Sequence, residues 1–242
     1  MGLFRGHRKR KMIKVPACAV VIAAAGTSER MSGEDKLFHL INGKPVLAYT
    51  IEAFQNCGFV NEIIIVTRDG GFDRVGDLCR EHGFSKVTRV MKGGLTRQES
   101  VMNGVFAVQN KSGLIAIHDG ARPFTEANVI ENTIIKAASH HAAAPAVPVS
   151  PTLKKAADRV ILETIDREGL FEIQTPQVFT AELIKGALTY AVKKSFDVTD
   201  DCMAVELLGA PIYLTEGSRL NIKITDAADL KLAEAIASII KR

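Results

Sequence analysis

Four short stretches hold groups able to manage a polyanion. In "VVIAAAGTSERM" (20–31) an apolar run ends in the small residues Ala23, Ala24, Ala25 and Gly26, and the cations Arg30 and Lys36 follow. Small side chains there let a nucleotide or phosphate approach the backbone amides, and the two cations could neutralise its charge. In "IHDGARPF" (117–124) a second apolar run ends on Asp119, with Arg122 three residues later. A carboxylate at the end of a buried strand must meet a cation or water, and one carboxylate suffices for magnesium when substrate phosphates complete its shell. In "KGGLTRQESVMNG" (92–104), Gly93 and Gly94 allow a flat base to lie against backbone, and Ser100 offers it a hydroxyl. In "LNIKITDAAD" (220–229) an extended run would turn Asn221 and Lys223 one way and Ile222 and Ile224 to the core, presenting Lys223 on a rigid strand.

Read alone, each stretch has a plainer meaning. Arg30, Lys36 and Lys223 are then solvated charge, Asp119 caps the next helix, and Gly93–Gly94 is a turn before a helix start. Two familiar nucleotide motifs are excluded. The first loop has only Gly26 where a dinucleotide fingerprint needs three spaced glycines, and Gly43–Lys44–Pro45 lacks the Ser or Thr of a P-loop. Nothing in the chain forms a Ser-His-Asp or Cys-His arrangement, so His118 is expected to pack or hydrogen-bond at a strand end rather than act as a base.

The elements that must position these groups follow a regular rhythm. Apolar runs at 17–24, 62–67, 86–91, 114–119 and 143–149 predict buried strands, and amphipathic patterns at 45–57, 72–83, 97–110 and 125–139 predict helices between them. A last helix begins at Thr225 or Asp226, with Leu232, Ile236, Ile239 and Ile240 as its apolar stripe. Alternation of this kind predicts an α/β fold, a mostly parallel sheet with helices on both faces. Residues 150–178 break the rhythm with short extended runs and a turn at 167–169, too long for an ordinary connection. They are expected to form a protruding β-arm that packs on a second copy of the chain.

With 242 residues, 47% of them apolar, the chain can bury a large core, and residues 15–242 are expected to form a single domain. The formal charge of +4 owes much to "RGHRKRKMIK" (5–14). That basic stretch makes residues 1–14 a solvated tail, or else a footprint for nucleic acid. Cys18, Cys57, Cys79 and Cys202 are scattered without a CxxC pair, which fits reduced thiols in a cytoplasmic protein and argues against zinc or disulfides. No segment approaches the length of a membrane span, and no signal core is present.

Taken together and in order, "AAAGTSERM…DKLF", "GGLTRQESV", "IHDGARPF", "TIDREGLFEIQTPQVF", "VTDD" and "NIKIT" resemble the 2-C-methyl-D-erythritol 4-phosphate cytidylyltransferases, from about residue 15 to residue 240. The resemblance implies a Rossmann-like nucleotidyltransferase fold, dependence on Mg2+, and a homodimer held by interlocking β-arms. It implies transfer of CMP from CTP to 2-C-methyl-D-erythritol 4-phosphate with release of pyrophosphate, a step of isoprenoid precursor synthesis. It makes Arg30, Lys36 and Lys223 the catalytic cations and Asp119 the metal ligand. Ala24, Ala25, Gly26, Gly94, Ser100 and Arg122 would bind the nucleotide; Thr152 and Arg167 on the arm, together with Thr199, would bind the acceptor. Ser28 and Glu29 depart from the family pattern, and Glu29 is expected to point outward. Two other functions remain open: a ribitol 5-phosphate cytidylyltransferase, against which "DREGLFEIQTPQVF" speaks, and a non-catalytic nucleic-acid-associated protein using the basic tail. Membrane and nucleic acid are not expected partners.

Overall fold

The computed structural model describes residues 15–26, 35–109 and 111–240. The basic tail, Ser28, Glu29 and Arg30 lie outside them. In chain order the elements are β1 (Cys18–Ala24), β2 (Leu40–Ile41), β3 (Lys44–Pro45), α1 (Val46–Gln55), β4 (Val60–Thr67), α2 (Phe72–Glu81) and β5 (Val87–Lys92). They continue with α3 (Arg97–Ala107), β6 (Leu114–Asp119), α4 (Ala127–His140), β7 (Ala142–Pro148), β8 (Leu153–Ala157) and β9 (Val160–Ile165). Last come β10 (Phe171–Ile173), β11 (Gln177–Thr180), α5 (Ala181–Lys193), α6 (Asp201–Glu206), β12 (Tyr213–Glu216) and α7 (Ala227–Ile239).

An eight-stranded sheet runs β10-β7-β11-β6-β1-β4-β5, with β12 also paired to β7. Its centre is parallel: β1 lies between β4 and β6, and β5 extends the β4 edge. Strands buried on both faces read as continuous apolar runs, and β1, β4 and β6 do. Side chains alternate across the sheet, so Val20 and Ile22 join one core with α1, α2, α4 and α7, while Ala19 and Val21 join another with α3, α5 and α6. Helix α3 packs so closely that a Cβ on Gly104 would fall 2.4 Å from Val21 Cγ1. The chain steps from β1 outward to β5 and then crosses back to β6 on the other side of β1. That reversal is a topological switch point, where a crevice opens at the carboxyl ends of neighbouring strands.

Several local expectations are corrected. Residues 150–178 do not all leave the sheet: only β8 and β9 form a separate antiparallel hairpin, whereas β10 and β11 return as antiparallel strands. Asp158 and Arg159 close that hairpin with positive φ of 47° and 65°, the backbone of a tight two-residue turn. In α7 the buried stripe is Leu230, Ala233 and Ile236, with Leu232 and Ile239 exposed. Of the expected stripe, Ile236 and Ile240 pack on the core and Leu232 and Ile239 do not. Residues 220–225 form no strand, and Asn221 and Lys223 do not share a face: Asn221 is buried and Lys223 exposed. Asp119 caps no helix, because α4 begins after Glu126. All four cysteines are free, three of them buried. Among the described residues no helix is long and apolar enough to cross a membrane.

Candidate active site

At the switch point a cavity of about 330 Å³ opens, a size suited to a small ligand. Ala24, Ala25 and Gly26 come to it from the end of β1, Gly94 from the β5–α3 loop, Ser100 from the start of α3, and Asp119 from the end of β6. Lys36 and Lys223 enter from the segments before α1 and before α7. Eight residues singled out in the sequence thus line one hollow.

Its floor is shaped by close backbone approach. Gly93 lies against β1: a Cβ there would be 2.7 Å from both Ala25 Cβ and Ser100 Oγ. Ser100 Oγ accepts the Gly94 N–H at 3.0 Å and donates to Thr96 O at 2.9 Å, fixing the loop. Thr96 caps α3 by accepting the Glu99 N–H, and Glu99 Oε2 accepts the Leu95 N–H at 2.6 Å.

Asp119 is the charged centre. It pairs in register with Ala23 across β1 and β6 and is buried. Lys223 Nζ lies 2.9 Å from its Oδ2, Arg122 Nε 3.5 Å from the same oxygen, and Arg97 Nη2 3.6 Å from Oδ1. Burial opposes ionisation of Asp119, but Lys223, Arg97 and Arg122 outweigh it and hold the carboxyl well below the usual carboxylate range. Arg122 does not line the cavity. It is itself buried and donates to Asn221 O at 2.7 Å, tying Asp119 to the segment that carries Lys223.

Behind Asp119 sits a buried polar net. Asn221 donates to Thr175 O at 2.9 Å and accepts from Thr125 Oγ1 at 2.9 Å. Thr175 Oγ1 lies 2.9 Å from His118 Nδ1 and accepts the Asp119 N–H at 3.2 Å. His118 is fully buried against the edge of Phe54, and burial pushes its pKa down to about 3, so it stays neutral near pH 7. It anchors the strand end, as expected, and offers no base to the cavity.

Arg97 is the charged residue, among the described ones lining the cavity, that sequence reasoning passed over. First residue of α3, it forms a fork with Asp201, Nη1 to Oδ1 at 3.2 Å and Nη2 to Oδ2 at 2.8 Å. Burial works against its charge, yet Asp201, with Asp119 and Asp200, more than restores it and keeps the guanidinium above its ordinary pKa. Complete burial pushes the Asp201 carboxyl up. Gln177 Oε1 accepts the Asp201 and Cys202 N–H groups, and Asp200 caps α6. A signal was present: a cation at a helix N-terminus opposes the helix dipole and calls for a carboxylate partner.

The remaining site candidates lie elsewhere. Thr199 is exposed just before the α6 cap, with its N–H 3.5 Å from Met203 Sδ. Thr152 and Arg167 flank the β8–β9 hairpin, exposed, and Arg167 donates to Ser150 O. None of the three lines this chain's cavity. Arg30 is outside the described residues.

Lys36, Arg97 and Lys223 share the cavity wall with the Asp119 carboxylate, a set of cations suited to phosphate. A family model for 2-C-methyl-D-erythritol 4-phosphate cytidylyltransferase matches residues 18–238. The chain belongs to this cytidylyltransferase family. A relative so named from Halalkalibacterium halodurans is 40% identical over 219 residues, covering 90% of this chain and 96% of that protein. One from Clostridium acetobutylicum is 41% identical over 221 residues, with 90% and 96% covered. The crystal structure of 4-diphosphocytidyl-2C-methyl-D-erythritol synthase from Anaerococcus prevotii is similar with a TM-score of 0.82 and 28% identity, covering 96% of this chain and 99% of that one. A site that gathers phosphates needs fixed cations more than an acid–base pair.

Proposed function

We propose that this cytidylyltransferase joins CTP to 2-C-methyl-D-erythritol 4-phosphate in the cavity around Asp119. A phosphate oxygen of the acceptor bonds to the α-phosphorus of CTP, the bond from that phosphorus to the bridging oxygen of the β-phosphate breaks, and pyrophosphate leaves. The acceptor's monoester is largely dianionic at pH 7, its second pKa being about 6, so no general base is needed. Repulsion between anions is the obstacle, and fixed cations in a desolvated hollow reduce it. The observation that carries the reading is the convergence of Lys36, Arg97 and Lys223 on the cavity that holds Asp119.

Lys36 and Lys223, with Arg30, act on the triphosphate and the reacting phosphate. Ala24, Ala25, Gly26, Gly94 and Ser100 receive the cytidine, and Arg122 braces Asp119. Among the described residues no cluster of three or more His, Cys, Asp or Glu side chains forms a metal cage. A single carboxylate still fits magnesium, since the nucleotide supplies the other oxygens. Asp119, whose Oδ1 lies 3.6 Å from Arg97 Nη2, would hold it. When bound, the ion would neutralise phosphate charge.

The β8–β9 hairpin supports the homodimer reading, because Val160, Ile161 and Leu162 are each about 60% exposed. Such apolar exposure on a two-stranded arm calls for a partner. In that dimer Thr152 and Arg167 reach the partner's cavity and bind the acceptor phosphate, with Thr199 on the acceptor side. The cytoplasm is the compartment that free, mostly buried cysteines support. Incubation with magnesium and CTP plus either methylerythritol phosphate or ribitol 5-phosphate, followed by pyrophosphate release, tests the reading. Release with the first and not the second is expected; the reverse would reassign the acceptor, and release with neither would refute the function.

A further inference from the structure

The turn that presents Lys36 is anchored by a charge cluster that does not line the substrate cavity. A second cavity, about 220 Å³, shares Ala24 and Leu37 with the first and is lined as well by Asp35, Arg68 and Arg74. Lys36 lines one hollow and its neighbour Asp35 the other. Asp35 Oδ2 accepts from Arg68 Nη2 at 2.7 Å and lies 3.8 Å from Arg74 Nη1. Asp35 Oδ1 accepts the Leu37 N–H at 3.3 Å, and its carbonyl accepts the Phe38 N–H at 2.9 Å. The Asp35 side chain is only 13% exposed, so these bonds are shielded in part from water.

The clamp reaches both sides of Lys36. Beyond it, Leu37 is buried and its carbonyl accepts the Leu47 N–H at 2.8 Å. Arg74 also stacks on Phe38, its guanidinium carbon 3.8 Å from the ring centroid. Arg68 follows the last residue of β4, and Arg74 stands in the first turn of α2, where the helix dipole disfavours a cation unless a carboxylate faces it. Asp35 thus ties a short turn to the rigid β4–α2 corner, and Lys36 is the residue between its two anchored neighbours.

We propose that Asp35, held by Arg68 and Arg74, is a positioning residue that sets the reach of Lys36 toward the phosphates of CTP. The inference rests on the cytidylyl-transfer reading above. A lysine on a four-carbon stem transmits any shift of its backbone to its ammonium, and a misplacement of about 1 Å can cost about a hundredfold in rate. Asp35, Arg68 and Arg74 are absent from the cavity wall, so their effect on turnover passes through the turn that carries Lys36 and Leu37.

A double-mutant cycle of Asp35→Asn and Lys36→Ala tests this, with kcat, the KM for CTP and the melting temperature read for each protein. Asp35→Asn is expected to lower kcat about tenfold while moving the KM for CTP less than about threefold. Added to Lys36→Ala, it should lower kcat no further than about twofold, because two residues acting as one unit are not additive. Arg68→Lys should retain more activity than Arg68→Met, and if Asp35→Asn fails to fold, Arg68→Met takes its place in the cycle. Parental kcat in a folded Asp35→Asn protein, or the full tenfold loss repeated on top of Lys36→Ala, would overturn the positioning role alone. Parental turnover in Lys36→Ala would overturn the role of Lys36 itself and the proposal with it.

Discussion

The Lys223 ammonium lies 2.9 Å from Asp119 Oδ2, although Lys223 comes from an irregular segment before α7 and Asp119 from the end of a central strand. The Lys223 side chain is 41% exposed and that of Asp119 only 10%. A triphosphate bound as proposed would compete for the ammonium from its open side, while Asp119 keeps Arg97 and Arg122. The pair is therefore built to exchange one partner without leaving a buried charge alone.

Lys223→Ala and Lys36→Ala should each lower kcat/KM by about 10²- to 10³-fold, the range seen when a preorganised charge-stabilising donor is lost. Neither should move the melting temperature by more than a few degrees. Pyrophosphate release and a thermal melt on the same preparations check both statements; a loss of activity that only mirrors unfolding would contradict them.

Arg97→Ala behaves differently. It strands the buried Asp201 carboxyl, and removing one member of a buried pair costs about 3 kcal/mol or more. Urea unfolding should show that loss, and adding Asp201→Asn should recover part of it. Equal stability of Arg97→Ala and the parent would remove the structural role assigned to the fork.

Stability should fall as pH drops from 7 to 5 because of His118. Its folded pKa of about 3 lies below the ordinary histidine value, so the unfolded chain takes up a proton through this interval while the folded protein does not. Between the unfolded value near 6.5 and pH 5 the loss is about 2 kcal/mol. Measured against His118→Gln, the parent should show the steeper decline; parallel curves would mean that His118 protonates in the native state. Asp119 acts lower: its folded pKa is depressed, so its contribution is complete above about pH 4 and disappears as acid protonates the native carboxyl.

Gly93→Ala should raise the KM for CTP and cost about 1–3 kcal/mol, since the new methyl meets Ala25 and Ser100 at 2.7 Å. Kinetics at varied CTP together with a melt would show it. An unchanged KM would mean that the floor of the cavity moves freely.

The sequence revealed most of the scaffold because β1, β4 and β6 are buried on both faces and so appear as unbroken apolar runs. The helices between them carry ordinary amphipathic spacing. The return of β10 and β11 to the sheet was hidden, since short antiparallel strands take their place from partners distant in sequence. Eight cavity residues could be named: small residues and Asp119 at the ends of apolar runs, Gly94 and Ser100 around a paired glycine, and Lys36 and Lys223 as lone cations given their roles by the family resemblance. Arg97 could not be found by that rule, because its partner Asp201 lies over a hundred positions away and neither sits at the end of an apolar run. The burial of Asn221 likewise depends on Thr125 and Thr175, which only the folded chain brings near.

A structure of the protein with CTP and magnesium addresses the central claim most directly. The account predicts phosphate oxygens within hydrogen-bond distance of Lys36 and Lys223 and the cytosine beside Gly94 and Ser100. Nucleotide bound elsewhere, with Lys36, Asp119 and Lys223 untouched by phosphate, would contradict it.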